Sequence, residues 1–117
     1  PRTTARKKRA LAWVYHNLAN AYGNVGDVNT KIHYLEEAIR LNNALYDNQL
    51  NTELLILKSN LANAYGNQGE HRKKAELLEA ILIFKEKSPQ PDKLDLAITL
   101  DNLSSAYSEL REFNRAE

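Results

Sequence analysis

The chain has 117 residues, enough for one domain with a modest core, of which 43% are hydrophobic and 26% charged. Its net charge is +1, so no overall field draws it to nucleic acid or to a membrane surface. It has no cysteine, which removes disulfides, thiolate metal sites and cysteine nucleophiles and leaves the redox compartment open.

Residues 1–9 form a basic segment carrying Arg2, Arg6, Lys7, Lys8 and Arg9. No apolar stretch of secretory length follows it, and nowhere does an apolar run approach the ~18–20 residues of a membrane span. The localisation expected is cytoplasmic. No methionine is present, so residue 1 is not an initiator, and the chain is expected to be a fragment or processed product of something longer.

From Ala10 the apolar positions Leu11, Val14, Leu18, Tyr22 and Val25 fall at helical spacing, one stripe of a helix facing a core. Gly23 and Gly26 are read together as the end of that helix. A second helix is expected from about Val28, with Ile32, Leu35, Ala38, Ile39 and Leu41 apolar, broken at Asp47-Asn48. The plan then repeats. Leu54, Leu57, Leu61, Tyr65 and Gln68 take the places of the first stripe, and Gly66 and Gly69 those of the first turn. A further helix starts near His71 with Ala75, Leu78, Ile81, Leu82 and Phe84, and stops before Ser88-Pro89-Gln90-Pro91, where two prolines exclude a helix interior. Asp92 is a good N-cap for the next helix, whose stripe is Leu96, Leu100, Leu103, Tyr107 and Leu110. Arg111-Glu112 stands where the earlier units have glycine, and Phe113 to Glu117 is read as the start of one more helix.

The repetition is literal. Asn17-Leu18-Ala19-Asn20-Ala21-Tyr22-Gly23-Asn24 recurs letter for letter as Asn60-Leu61-Ala62-Asn63-Ala64-Tyr65-Gly66-Asn67, 43 residues on. A worn copy, Asn102-Leu103-Ser104-Ser105-Ala106-Tyr107-Ser108-Glu109, follows after 42 more. A fixed period of that size marks a repeat array. The expected fold is all-α: an α-solenoid of antiparallel helix hairpins, about two and a half repeats, with repeat 1 at about 10–47, repeat 2 at about 50–88 and a partial repeat 3 at about 92–117.

Paired helices, an Asn-Leu-Ala-x-x-Tyr core, a glycine turn and an apolar second helix together resemble the tetratricopeptide repeat. That repeat usually has about 34 residues. The longer period here, with Asp95-Leu96-Ala97-Ile98-Thr99-Leu100-Asp101-Asn102-Leu103 and Arg115-Ala116-Glu117, is similar to the kinesin-light-chain-type subclass. The resemblance implies a right-handed superhelix whose first helices line a concave groove. It also implies a small residue where the second helix crosses the first. With Leu35 and Leu78 aligned on that helix, Lys31 and Lys74 stand there instead, next to Ile32 and Ala75, so either the first two crossings are wider or the local register is shifted by one residue. The lysine stems are also long enough to cover apolar surface while the ammonium reaches water.

A second stripe on each first helix would line that groove: Trp13, Asn17, Asn20 and Asn24; Ile56, Asn60, Asn63 and Asn67; Ile98, Asn102, Ser105 and Glu109, with His16, Ser59 and Asp101 at its edge. An asparagine amide offers two donors and an acceptor without net charge, and so can pair with both N–H and C=O of an extended peptide. The resemblance carries that role onto Asn17, Asn20, Asn60, Asn63 and Asn102; Ile56 and Ile98 are expected to line the groove with them, and Trp13 offers an aromatic anchor at one end. The competing reading is local. Asn24 and Asn67, beside the turns, are expected to satisfy backbone groups, and Asn17 and Asn60 can equally bond a neighbouring repeat.

The function expected is therefore a protein–protein interaction module taking a peptide segment of a partner. The alternative is an architectural stretch with no ligand of its own, self-associating through an open third-repeat face of Leu103, Tyr107, Leu110 and Phe113. A carboxylate clamp for acidic tails is disfavoured, because its cationic places read His16, Ile98 and Asn102. Enzymatic activity is not expected. His16, His33 and His71 show no metal-ligand spacing, no serine sits in a nucleophile elbow, and no glycine cluster follows a strand to hold a cofactor. No cofactor and no metal are expected. The clusters at Arg2 to Arg9 and His71-Arg72-Lys73-Lys74 are short and without interleaved aromatics, which disfavours nucleic acid.

Overall fold

The structure, a computed structural model, describes residues 2–47 and 51–116, with side chains described for 4–47 and 51–111. Among the described residues there are five helices and no strand: α1 (Arg2–Asn24), α2 (Val28–Leu45), α3 (Thr52–Gln68), α4 (His71–Glu86) and α5 (Lys93–Ala116). Each packs on the next in chain order, so α1/α2 and α3/α4 are hairpins and α5 continues the stack. The array measures 52 × 38 × 21 Å.

Two glycines set the hairpin turns. Gly26 and Gly69 have φ of 84° and 85°, a conformation that costs an L side chain energy and costs glycine almost none. Around each, the amide of the residue after the glycine bonds back to a tyrosine carbonyl: Asp27 to Tyr22 at 2.9 Å and Glu70 to Tyr65 at 2.8 Å. The glycine amides bond to the carbonyls of Gly23 and Gly66, 3.1 Å each. This is the Schellman arrangement, which satisfies the open carbonyls of a helix end. The following helix then needs a cap. The Asp27 carboxylate accepts from the Thr30 amide at 3.1 Å and the Thr30 hydroxyl at 2.8 Å, whereas Glu70 makes no such side-chain bond.

Gly23 and Gly66 do something else, which corrects the expectation that all four glycines serve the turns. Both lie within helices. A Cβ added there would stand 2.8 Å from the Lys31 Cδ and 2.9 Å from the Lys74 Cδ. The missing side chains make room for the lysine stems, and this is how the hairpins accept lysine at the crossing.

The core has two parts joined by α3. One gathers Ala19 of α1, Ile32, Leu35 and Ala38 of α2, and Leu57, Leu61 and Ala64 of α3. The other gathers Ala62 of α3, Ala75, Leu78 and Ile81 of α4, and Leu103 and Ala106 of α5. Leu35, Leu54, Leu57 and Ile81 are fully buried, each worth about 1.5–3 kcal/mol against exposure. Tyr34 stacks between Tyr15 and Tyr22, centroids 5.6 and 5.7 Å away, and fastens α1 to α2.

Three expectations are corrected. The α1 stripe is not all core: Leu11, Val14 and Val25 are exposed. For Leu11 and Val14 no described helix covers the side that α2 covers on α3, where their equivalents Leu54 and Leu57 are buried; Val25 lies past the end of α1, and Gln68 at its place in the second unit is exposed too. Helix α1 starts at Arg2, inside the basic segment; the side chain of Arg2 lies outside those described. Helix α5 runs on through Arg111-Glu112 to Ala116, with no turn before Phe113. Ser108 and Arg111 replace the two glycines of the earlier units, so neither the lysine-sized gap nor the left-handed turn is provided for. The side chains of Phe113, Arg115 and Ala116, and the whole of Glu117, lie outside the described residues. The break after α2 falls at Asp47, φ 53°; Asn48 and the expected start of repeat 2 at residue 50 lie outside them too.

Candidate peptide-binding groove

The outward stripes begin with an apolar row. Trp13, Ile56 and Ile98 occupy one repeat position on α1, α3 and α5, and are 68%, 44% and 52% exposed. A single exposed apolar residue needs no explanation, but three at the same repeat position make a patch that does. Trp13 borders a cleft of about 270 Å³ lined by Arg9, Ala12, Asn42, Leu45, Tyr46 and Glu53. Asn42 is buried there and its amide pairs reciprocally with that of Asn51, 2.9 Å in the closer direction. Asn51 also accepts from the Leu54 amide at 2.9 Å, capping α3. The joint between α2 and α3 is thus a neutral amide pair. The matching joint between α4 and α5 is ionic, with the Lys85 ammonium 2.9 Å from the Asp95 carboxylate and donating to the Thr99 hydroxyl at 3.1 Å.

One turn along each helix stand the amides. Asn17, Asn20, Asn63 and Asn102 are exposed, and among the described residues their side chains make no intramolecular hydrogen bond. Asn60 differs. It is half-buried, with its amide nitrogen 3.5 Å from His16 Nε2, and His16 Nδ1 lies 3.2 Å from a Glu53 oxygen. The Asn60 amide is placed to donate to His16 Nε2, whereas the Nδ1–Glu53 contact is a close approach and not a hydrogen bond. The structure therefore brings Asn60 to its neighbouring repeat and leaves Asn17 without such a contact. It also shows that the stripes of α1 and α3 lie side by side. Asn24 and Asn67 are exposed and make no bond to the turn backbone, against expectation; the Schellman bonds already use those carbonyls.

Sequence reasoning placed His16 only at the stripe's edge and missed Glu53 as its partner. The spacing of both from their helix ends was available, but the bridge depends on how far apart α1 and α3 sit. It also missed Tyr15 and Tyr34, and the pairing of Asn42 with Asn51.

The expected open face of the third unit is corrected in one member. Leu103 is buried in the second core cluster, while Tyr107 is exposed and Leu110 half-buried. Leu100, one turn before Leu103, is exposed as well. On α4, His71 Nδ1 lies 2.9 Å from a Glu109 oxygen but is out of line for a hydrogen bond, and no other partner reaches it among the described residues.

Electrostatics on the opposite, inter-helix side are mild. Burial, then the Glu36 and Glu70 carboxylates, push the Tyr65 phenol above its ordinary value, and the Lys73 ammonium lies 5.2 Å from its ring centroid. Among the described residues no group of three or more His, Asp or Glu side chains is placed to hold a metal ion, and no helix is long and apolar enough to cross a membrane.

Residues 11–48 match the family model of the tetratricopeptide repeat. The match takes in α1 from Leu11 and all of α2, and the octapeptide within it recurs unchanged in the second hairpin. No curated protein matches the chain.

Proposed function

We propose that this array of tetratricopeptide-type hairpins is a non-catalytic interaction module that binds an extended peptide segment of a partner protein across α1, α3 and α5. Repeats of this family mediate protein–protein interaction. The period of 42–43 residues supports assignment to the longer, kinesin-light-chain-like subclass.

One observation carries the reading. An exposed apolar row, Trp13, Ile56 and Ile98, runs beside exposed amides with no hydrogen-bond partner among the described residues, Asn17, Asn20, Asn63 and Asn102. Apolar side chains of a peptide bury against the row while its backbone N–H and C=O pair with the amides. Asn60 keeps an amide oxygen for the ligand while its nitrogen holds His16. The solenoid supplies rigidity, since each hairpin is braced by its neighbours.

A displayed random-peptide selection tests this. Peptides should be enriched, and a selected peptide should bind Trp13→Ala and Asn63→Ala about tenfold more weakly, with helicity unchanged because both side chains are exposed. Selection yielding nothing above background rejects the reading. Exposed Leu100 and Tyr107 on α5 favour the second reading, a stretch that only stacks on other helices. Concentration-dependent association in sedimentation, abolished by Tyr107→Glu, would accompany that outcome.

A further inference from the structure

The two joints of the array follow one plan and are filled differently. At the second, Leu55 packs against the core and the Lys85 ammonium lies 2.9 Å from the Asp95 carboxylate. Space and charge there are both used up within the chain. One repeat earlier, Ala12 stands in place of Leu55 and Asn42 in place of Lys85, and Asn42 turns to Asn51 instead of to the carboxylate. What remains is the cleft of about 270 Å³ at the α1 end of the apolar row. Trp13 and Tyr46, 68% and 43% exposed, give it ring surface. Two opposite charges line it as well. Arg9 is exposed and forms no ion pair among the described residues. The exposed Glu53 carboxylate lies close to His16 but accepts no hydrogen bond among them.

We propose that this cleft is a subsite for one tyrosine side chain of the bound peptide. This rests on the peptide reading above and names the residue that the first joint selects. The cleft is smaller than the about 300 Å³ at which small-molecule sites begin, which suits a single side chain. Its walls favour a ring, because an aromatic side chain buries about 150–250 Å² and packs well on other rings. The two charges choose the tip of that ring. A charged tip of either sign meets one like charge. Phenylalanine leaves the guanidinium and the carboxylate facing carbon, stripped of water with nothing in return. An indole N–H only donates, which serves Glu53 and not Arg9. A phenol hydroxyl donates to the carboxylate and accepts from the guanidinium, so tyrosine answers the walls and both charges with one group.

The test is a selection of random nine-residue displayed peptides on the wild-type chain, followed by binding of the best peptide made with tyrosine, phenylalanine or phosphotyrosine at the enriched position. Tyrosine is expected at one fixed position. Phenylalanine there should bind about fivefold more weakly, the size of one hydrogen bond at a half-open site, and phosphotyrosine more weakly still, since Glu53 repels it. Ala12→Leu puts into the first joint the side chain that the second joint already holds at that place. It should fold, as circular dichroism checks, and weaken the tyrosine peptide at least tenfold. Glu53→Ala should bring tyrosine and phenylalanine to equal binding, and decides the matter if Ala12→Leu fails to fold. Peptides enriched without a fixed tyrosine, phenylalanine binding as well as tyrosine on the wild type, or binding indifferent to a folded Ala12→Leu would overturn the proposal while leaving the groove intact. Selection of no peptide at all overturns the underlying reading together with this one.

Discussion

The octapeptide at residues 17–24 and its copy at 60–67 are identical in sequence and differ in surroundings. Ala19 and Ala62 are both buried, each against the second helix of its own hairpin. Ala21 is exposed, whereas Ala64 is fully buried. Leu18 is half-buried and Leu61 is buried. Asn17 is exposed, while Asn60 is drawn under His16. The copies part company wherever the side chain faces the preceding repeat, because α2, and at Asn60 also His16 of α1, covers that face of α3 and no described element covers it on α1. In a solenoid the intrinsic face of a helix comes from its own hairpin, and the rest of its burial from the neighbour.

The sharpest way to break the comparison is to truncate matched core positions. Leu57→Ala removes a fully buried side chain and should cost about 2–5 kcal/mol. Val14→Ala, at the same repeat position but 44% exposed, should cost less than about 1 kcal/mol. Urea unfolding of both variants checks this through the midpoint at constant slope. Equal losses would mean that α1 is covered in solution on the face exposed here.

A smaller effect of opposite logic comes from adding volume. Ala64→Leu has no space against Ile32, Leu35 and Ala38 and should lose about 1–3 kcal/mol by overpacking. Ala21→Leu, identical in local sequence, should leave the thermal midpoint within about a degree or two, since exposed substitutions usually stay within about 0.5 kcal/mol.

This contrast also marks what the sequence could show. Hairpin order, the bounds of α2 and α4 and the Asp92 cap follow from spacing, glycine, proline and capping chemistry, which are local. The cap is visible in the Leu94 amide, 3.0 Å from an Asp92 oxygen. The exposure of Leu11 and Val14 was not legible, because an apolar stripe looks the same whether or not a neighbour covers it. The continuity of α5 was half legible: the absence of glycine at Ser108 and Arg111 was visible, but its effect was read as a different turn instead of none. On the outward stripes, the alignment of Trp13, Ile56 and Ile98 follows from the period. The capture of Asn60 by His16 does not, since it is fixed by the distance between two helices that are not adjacent in the chain.

The last and smallest contrast lies inside one turn. Gly66 and Gly69 are three residues apart, and the sequence assigns them one job. Gly69→Ala forces a Cβ into φ 85°, so it should cost about 1–2 kcal/mol even though nothing lies within 4 Å of the added carbon. Gly66→Ala sits in a helix, where alanine is favoured by about 0.8–1.0 kcal/mol over glycine. Its Cβ meets the Lys74 stem at 2.9 Å, the far part of a flexible chain that can swing into solvent. The two terms nearly cancel, and the thermal midpoint should move little. Adding Lys74→Ala to Gly66→Ala removes the obstruction and leaves the helix gain, so the double variant should be more stable than Lys74→Ala alone by up to about 1 kcal/mol. If Gly66→Ala instead proves as costly as Gly69→Ala, with no relief from Lys74→Ala, then Gly66 belongs to the turn after all and the lysine stem does not explain it.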